Sequence, residues 1–380
     1  MPFRFLEGIR VLDLSQYAPG PYASLILADL GADVIRIEPP GGEPMRKIGP
    51  LDADGVSAWY KVINQSKCVI ELDLKSAAGK ADLEALVSRA DVFLESYRPG
   101  VLARLGFPDE RLAALNPRLI RCSLSGWGEG GPYRLKGGHD INYMALFGAL
   151  SLSGSAERPY AAFPMVADYS SGMHAALSIL AAIIGRDRPG GSGTGCHIDC
   201  SIAESPLPWS QWALTASTRP GFEVARGGAF LTGGAAFYQI YRTADGRFVT
   251  LGALEEKFWQ NFCEAVGHPE WTPRQWEKMP QTTLIGEVVR LFESKPLADW
   301  VALLGAVDCC FEPVHELAEM VDHPQTRERG FVVRHDGADP FIEVLFPARI
   351  DGAVEPARTA IARRRAGEIV TAWDGGKQRA

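Results

Sequence analysis

Long apolar runs are scarce in this sequence. The most hydrophobic stretch, Ala175 to Ile184, is too short to span a bilayer and contains Ser178. The N-terminus, Met1-Pro2-Phe3-Arg4-Phe5-Leu6-Glu7, lacks the apolar core and small-residue cleavage site of a secretory leader, so a cytoplasmic protein with no membrane partner is expected. Cysteine is sparse and odd in number, seven in 380 residues, which fits reduced thiols better than a disulfide framework. The run Cys196-His197-Ile198-Asp199-Cys200 has no second paired-cysteine motif to complete a zinc site. On a strand Cys196 and Cys200 share a face with Ile198, so both are expected as buried structural thiols, with no metal bound. Positive charge is in deficit, 39 Lys and Arg against 46 Asp and Glu, and a net charge of −7 excludes a surface that embraces nucleic acid.

What remains is 46% hydrophobic and 22% charged, the balance of an ordinary globular protein. A chain of 380 residues exceeds the usual single-domain size. The texture divides it into a large domain over 1–200 with 331–380, linker helices over 201–232, and a smaller domain over 233–330. The smaller domain opens with a hairpin, Phe237 to Tyr241 and Phe248 to Leu251 around Asp245-Gly246, and continues with helices rich in Trp and Phe. From Arg349 onward the chain turns basic and polar and is expected to end outside the cores.

The large domain begins with a β-α-β unit: strand Gly8 to Leu14, turn Pro19-Gly20-Pro21, helix Tyr22 to Leu30, strand Asp33 to Glu38. Its turn offers Gly20 alone instead of the three spaced glycines that let a backbone approach a pyrophosphate. The fold is therefore read as Rossmann-like α/β with a mostly parallel sheet, and the nicotinamide reading is set aside. Further strands within Asn64 to Lys75, at Asp91 to Glu95 and within Asn116 to Ser125 alternate with helices and place their loops along one ligand-binding edge. Arg46, Lys75, Arg98 and Arg104 lie in or beside those loops. Each alone reads as a solvated charge; together they suggest a pocket for a small polyphosphate, which arginine grips with paired hydrogen bonds.

Two stretches carry candidate chemistry: Gly138-His139-Asp140-Ile141-Asn142-Tyr143 and Asp168 within Val166-Ala167-Asp168-Tyr169-Ser170-Ser171-Gly172. An imidazole and a carboxylate, each beside small residues and each ahead of an apolar helical run, are what proton transfer at an activated carbon requires. The plainer readings are a histidine near a helix start and an aspartate capping the helix after it. Gly172 is expected at the start of a helix running from Met173 to Ile184, where free backbone N–H groups would face an oxyanion. His174, His197, His268, His315, His323 and His335 are assigned no functional role, His315 and His323 because they lie in a helical region without a partner motif.

Several separated blocks resemble the family III CoA-transferases of CaiB/BaiF type. They are Ala18-Pro19-Gly20-Pro21, Leu27 to Asp33, Leu72-Asp73-Leu74-Lys75, Tyr97 to Val101, Asn116 to Ile120, Asp168, and Leu231 to Gly234 with Tyr241 to Gly246. Within that family the His139 motif resembles the α-methylacyl-CoA racemase branch. The resemblance implies epimerisation of 2-methylacyl-CoA thioesters, with His139 and Asp168 exchanging the α-proton and Glu255 supporting the imidazole, a task open to Asp140 as well. It also implies a CoA site of Arg46, Leu72, Asp73, Leu74, Lys75, Arg98, Val101, Arg104, Gly138, Asp140, Ile141, Asn142 and Tyr143. Coenzyme A would enter as part of the substrate, with no other cofactor, and the protein would be an interlocked homodimer with Glu255 supplied in trans. One departure is Pro39 after Glu38, where the racemases carry an arginine; Arg46 is the expected substitute. The alternative implied by the same family is a CoA-transferase with Asp168 as nucleophile, passing through an aspartyl-CoA thioester; a third is a CoA-binding module without turnover.

Overall fold

The computed structural model describes residues 3–161, 163–221 and 224–376. The chain forms two compact units, 1–147 with 164–207 and 324–380, and 148–163 with 208–323. The second unit thus starts earlier than its sequence texture suggests. Segment 148–163 joins it because Arg226 donates to the carbonyls of Ser151 and Ser155.

The large unit is built on a seven-stranded parallel sheet. Its strands are β1 (Arg10–Leu14), β2 (Asp33–Glu38), β3 (Cys68–Glu71), β4 (Val92–Glu95), β5 (Ile120–Ser125) and β6 (His197–Ser201), plus the short strand Ala362–Arg363. The spatial order runs Ala362–Arg363, β3, β2, β1, β4, β5, β6, and every pairing is parallel. Such strands bury both faces and read as near-continuous apolar runs, as in Val11, Leu12, Val92, Phe93 and Leu94. The order reverses between β1 and β4, so the crevice above their carboxyl ends is where a ligand is expected. There Gln16 N donates to Ser96 Oγ at 2.8 Å, tying the loops after the two strands together.

The helices follow in chain order: α1 (Pro19–Asp29), α2 (Ala58–Asn64), α3 (Ala77–Val87), α4 (Val101–Arg104), α5 (Asp109–Leu115), α6 (Asp140–Leu146) and α7 (Val166–Asp187). Proline at the first position of α1 pre-sets the helical φ where an N–H is dispensable. Helix α7 spans 22 residues and buries Ala167, Ser170, Ser171, Gly172, Ala175 and Ala176. This small-residue stripe lets it lie close on α1. A Cβ at Gly172 would sit 2.6 Å from the Pro19 carbonyl oxygen and 3.0 Å from the Tyr22 ring. Gly172→Ala is therefore expected to force the helices apart and cost about 1–3 kcal/mol, a loss that denaturant melts of the purified variant will report.

The sequence-based expectation for the C-terminus fails. Ala366, Ile369 and Trp373, on the helix Ala366–Gly376, are buried in the same core as Leu12, Phe93 and Leu83, and Trp373 Nε1 donates to Asp33 Oδ2 at 2.6 Å. Cys196 departs too: it precedes β6, which is an edge strand, and it is exposed, while Cys200 is half-buried with Sγ 3.8 Å from the Ser171 carbonyl.

The second unit carries α8 (Gln211–Ala216) and an antiparallel sheet of β7 (Tyr238–Arg242), β8 (Phe248–Gly252) and β9 (Phe311–Pro313). Helices α9 (Glu256–Ala265), α10 (Thr282–Phe292) and α11 (Leu297–Leu304) pack aromatic side chains with it, with Trp259, Phe262, Phe292 and Trp300 fully buried. Each indole N–H finds a carbonyl, Trp259 that of Trp271 and Trp300 that of Phe292, both at 3.0 Å. No helix among the described residues is long and apolar enough to cross a membrane.

Candidate active site

The motif Gly138-His139-Asp140-Ile141-Asn142-Tyr143 folds back on itself. His139 is extended (φ −132°, ψ 173°) at the position before α6, and its N–H donates to Asn142 Oδ1 at 3.0 Å. Tyr143, which is buried, donates its hydroxyl to the Gly138 carbonyl at 2.7 Å. A Cβ at Gly138 would lie 2.7 Å from the Tyr143 ring, so glycine is required there. The backbone on both sides of His139 is thus pinned, and its imidazole is exposed with its ring edge-on to Tyr17 at 6.3 Å. Ile141 is exposed and Met144 buried on the same short helix.

Asp140 reaches the next helix. Its Oδ1 accepts from the N–H groups of Ala167 at 2.7 Å and Asp168 at 3.2 Å, satisfying donors at the start of α7. This corrects two expectations. Asp168 is not the capping residue, because α7 begins at Val166 and Asp168 sits inside its first turn. Gly172 is not at a helix start either; it is interior, with its backbone in the helical ladder, and offers no oxyanion donor. Asp140 spends one oxygen on this helix cap.

Burial, reinforced by the negative charge of Asp140, pushes the Asp168 carboxyl up from 3.8 to about 7. Burial also raises the Tyr143 hydroxyl to about 12, with Asp168 adding to it and Arg98 opposing it. A carboxyl balanced near neutrality both donates and accepts a proton at working pH, which is the property proton transfer demands. Asp140→Asn keeps a carbonyl oxygen for the α7 cap but removes the charge. The Asp168 pKa is then expected to fall while burial keeps it above 3.8, shifting the alkaline limb of activity to lower pH where Asp168 acts as acid; a pH profile measures it.

The candidate CoA residues follow the carboxyl ends of neighbouring strands: Arg46 after β2, Leu72, Asp73, Leu74 and Lys75 after β3, and Arg98, Val101 and Arg104 after β4. Lys75, Arg98 and Arg104 are exposed, whereas the side chains of Leu72 and Leu74 belong to the core. Asp73 turns its Oδ1 to the Lys75 N–H at 2.9 Å, shaping the loop. Arg46 differs from the other cations. Its Nε donates to Glu38 Oε2 at 2.6 Å and another N–H to the Tyr60 hydroxyl at 2.6 Å, and its side chain is 11% exposed. Glu255 lies in the second unit, exposed at the position before α9, its carbonyl accepting from Phe258 N.

Sequence reasoning missed the support beneath the β1 loop. Arg36 is fully buried, holding Asp13 at 3.0 Å, Glu43 at 2.7 Å and the Ser15 carbonyl at 3.0 Å. Glu43 in turn accepts from the N–H of Tyr17, whose φ of 61° is left-handed. This ionic knot fixes the loop that presents Tyr17 to His139. Its one sequence signal was a charged residue, Arg36, in the middle of an apolar strand.

The Rossmann-like sheet thus carries the exposed Lys75, Arg98 and Arg104 in the loops at its carboxyl edge, and helix α7 holds a carboxyl, Asp168, raised towards neutrality by burial. Comparison with known proteins makes this specific: residues 6–360 match the family model of CoA-transferase family III. The chain belongs to CoA-transferase family III. It is 36% identical over 339 residues to alpha-methylacyl-CoA racemase of Homo sapiens, covering 88% of this chain and 84% of that protein. It is 32% identical over 340 residues to acetyl-CoA:oxalate CoA-transferase of Acetobacter aceti, covering 87% and 86%. A crystal structure of a CAIB/BAIF family protein from Brucella suis superposes with a TM-score of 0.81 at 26% identity, over 97% of this chain and 99% of that one. The relatives on both sides are enzymes whose names carry an acyl-CoA, so transformation of acyl-CoA is the activity they share.

Proposed function

We propose that this protein epimerises 2-methylacyl-CoA thioesters by 1,1-proton transfer. The observation that carries this reading is the Asp168 carboxyl held near pH 7 beside the segment that presents His139. In one direction the imidazole takes the α-proton and the protonated Asp168 returns one to the opposite face; in the reverse direction the roles exchange. Tyr17 and Tyr143 flank the imidazole segment, and the exposed Lys75, Arg98 and Arg104 receive the phosphates of coenzyme A, which enters as part of the substrate. A homodimer in which Glu255 of one protomer supports His139 of the other is part of the proposal, as is a cytoplasmic location.

The test is a single epimer of a 2-methylacyl-CoA incubated with the enzyme and no acceptor acid. An approach to an equal mixture of epimers is expected. The rival reading is transfer of CoA between carboxylic acids, favoured by the 32% identity to a transferase and by the same Asp168 acting as nucleophile. It predicts no epimerisation, turnover only with an acceptor acid, and a thioester at Asp168 that hydroxylamine cleaves.

A further inference from the structure

His315 and His323, assigned no role from the sequence, come together in the second unit. Their rings lie 5.1 Å apart, and with Glu312 they bring three potential ligand atoms within 4.8 Å of one another. Glu312 is held on β9, where its carbonyl accepts from Thr250 Oγ1 at 3.1 Å, and its Oε1 faces His315 Nε2 at 3.6 Å. The other ring nitrogen, Nδ1, faces Glu319 Oε2 at 3.8 Å. Glu319 is itself anchored, accepting from Arg247 at 2.7 Å and from the Glu316 N–H at 2.8 Å. His323 follows the short helix Leu317–Asp322 and is the last residue of the second unit before the chain returns at Pro324.

We propose that Glu312, His315 and His323 form a divalent transition-metal site, with zinc the best-suited ion. Two imidazoles and one carboxylate with a fourth position left to water is an established zinc donor set, at metal–ligand distances of about 2.0–2.2 Å. The three groups need only draw inward, since all are half-buried or exposed, His315 lies in the loop after β9 and His323 just past a helix end. The carboxylate of Glu319, 3.8 Å behind Nδ1, stands where metal-bound histidines keep an orienting partner; drawn into hydrogen-bond reach on metal binding, it would hold the proton on Nδ1 and leave Nε2 to ligate. Chemically the site is a clip, joining the end of β9 to the point where the second unit hands the chain back. It is separate in sequence and in unit from His139 and Asp168.

The test uses the full chain, with Cys196 and Cys310 replaced by serine so that exposed thiols do not compete. Zinc chloride is titrated against a fluorescent chelator, and unfolding is followed with and without zinc. One zinc per chain and a raised unfolding midpoint are expected. His323→Ala and Glu312→Gln are expected to weaken binding at least tenfold and to remove the zinc-dependent shift, with the metal-free midpoint reporting that each variant is folded. Glu319→Gln, which leaves the three ligands in place but removes the charge facing His315 Nδ1, is expected to weaken zinc by ~10–100-fold. Absence of stoichiometric zinc in the parent, or affinity unchanged by His323→Ala, overturns the proposal and leaves His315 in surface ion pairs only.

Discussion

Asp168→Asn is expected to lower kcat/KM for α-proton exchange by ~10²–10⁴-fold, the usual contribution of a positioned acid–base group. Asparagine matches the carboxyl in shape but neither takes nor gives the proton, and the α7 cap is untouched because Asp140 supplies it. Acyl-CoA affinity should stay within a few fold, since the cations proposed to receive its phosphates lie on other loops. The same substitution carries a stability signature. The Asp168 pKa is raised from 3.8 to about 7, so this group's contribution to stability is full below pH 3.8 and is lost as pH rises through 7. The variant lacks that loss. Its stability relative to the native protein should therefore increase between pH 4 and pH 7 and level off above, which parallel denaturant melts across that range will show.

His139→Ala is the second large effect. Exchange is expected to fall by a similar ~10²–10⁴-fold, because the opposite face of the substrate loses its only proposed proton carrier. Its fold should be intact: the imidazole is exposed, and the interactions that shape the segment come from the His139 backbone, Asn142 and Tyr143. The kinetic split is informative. Under the transferase reading His139 has no proton to move, and acceptor-dependent turnover would survive the substitution while Asp168→Asn abolished it. Equal loss in both variants is the outcome that places the two residues on one reaction coordinate.

The sheet was legible in the sequence because parallel strands carry a signal that survives tertiary context. Val11-Leu12 and Val92-Phe93-Leu94 are apolar on both faces, and the Pro19 and Gly31 punctuation brackets α1. His139 and Asp168 were legible as residue types but not as a geometry. Helix α7 starts ahead of its expected position because its cap comes from Asp140, 27 residues before Ala167, a partner that no local capping rule can supply. The C-terminal helix was misread for a related reason. Arg363, Arg364 and Arg365 dominate the local composition, while Ile369 and Trp373 reach the core from one face. His315 lies in the loop after β9 and His323 just past the helix Leu317–Asp322, so no single element's periodicity marks them as partners.

Arg46 shows where a charge count misleads. In the sequence it is one of four equivalent cations, yet in the fold its guanidinium stacks over Tyr60 at 4.1 Å and is shared with Glu38. That leaves Lys75, Arg98 and Arg104 as the exposed cations of the set.

The most direct test of the account is solvent exchange. The protein is incubated with a 2-methylacyl-CoA in deuterated water, without an acceptor acid, and the α-position is followed by mass spectrometry. Steady uptake of one deuterium per thioester, abolished by His139→Ala and by Asp168→Asn, is the expected result. No uptake, with CoA transfer appearing once an acceptor acid is added, would contradict it.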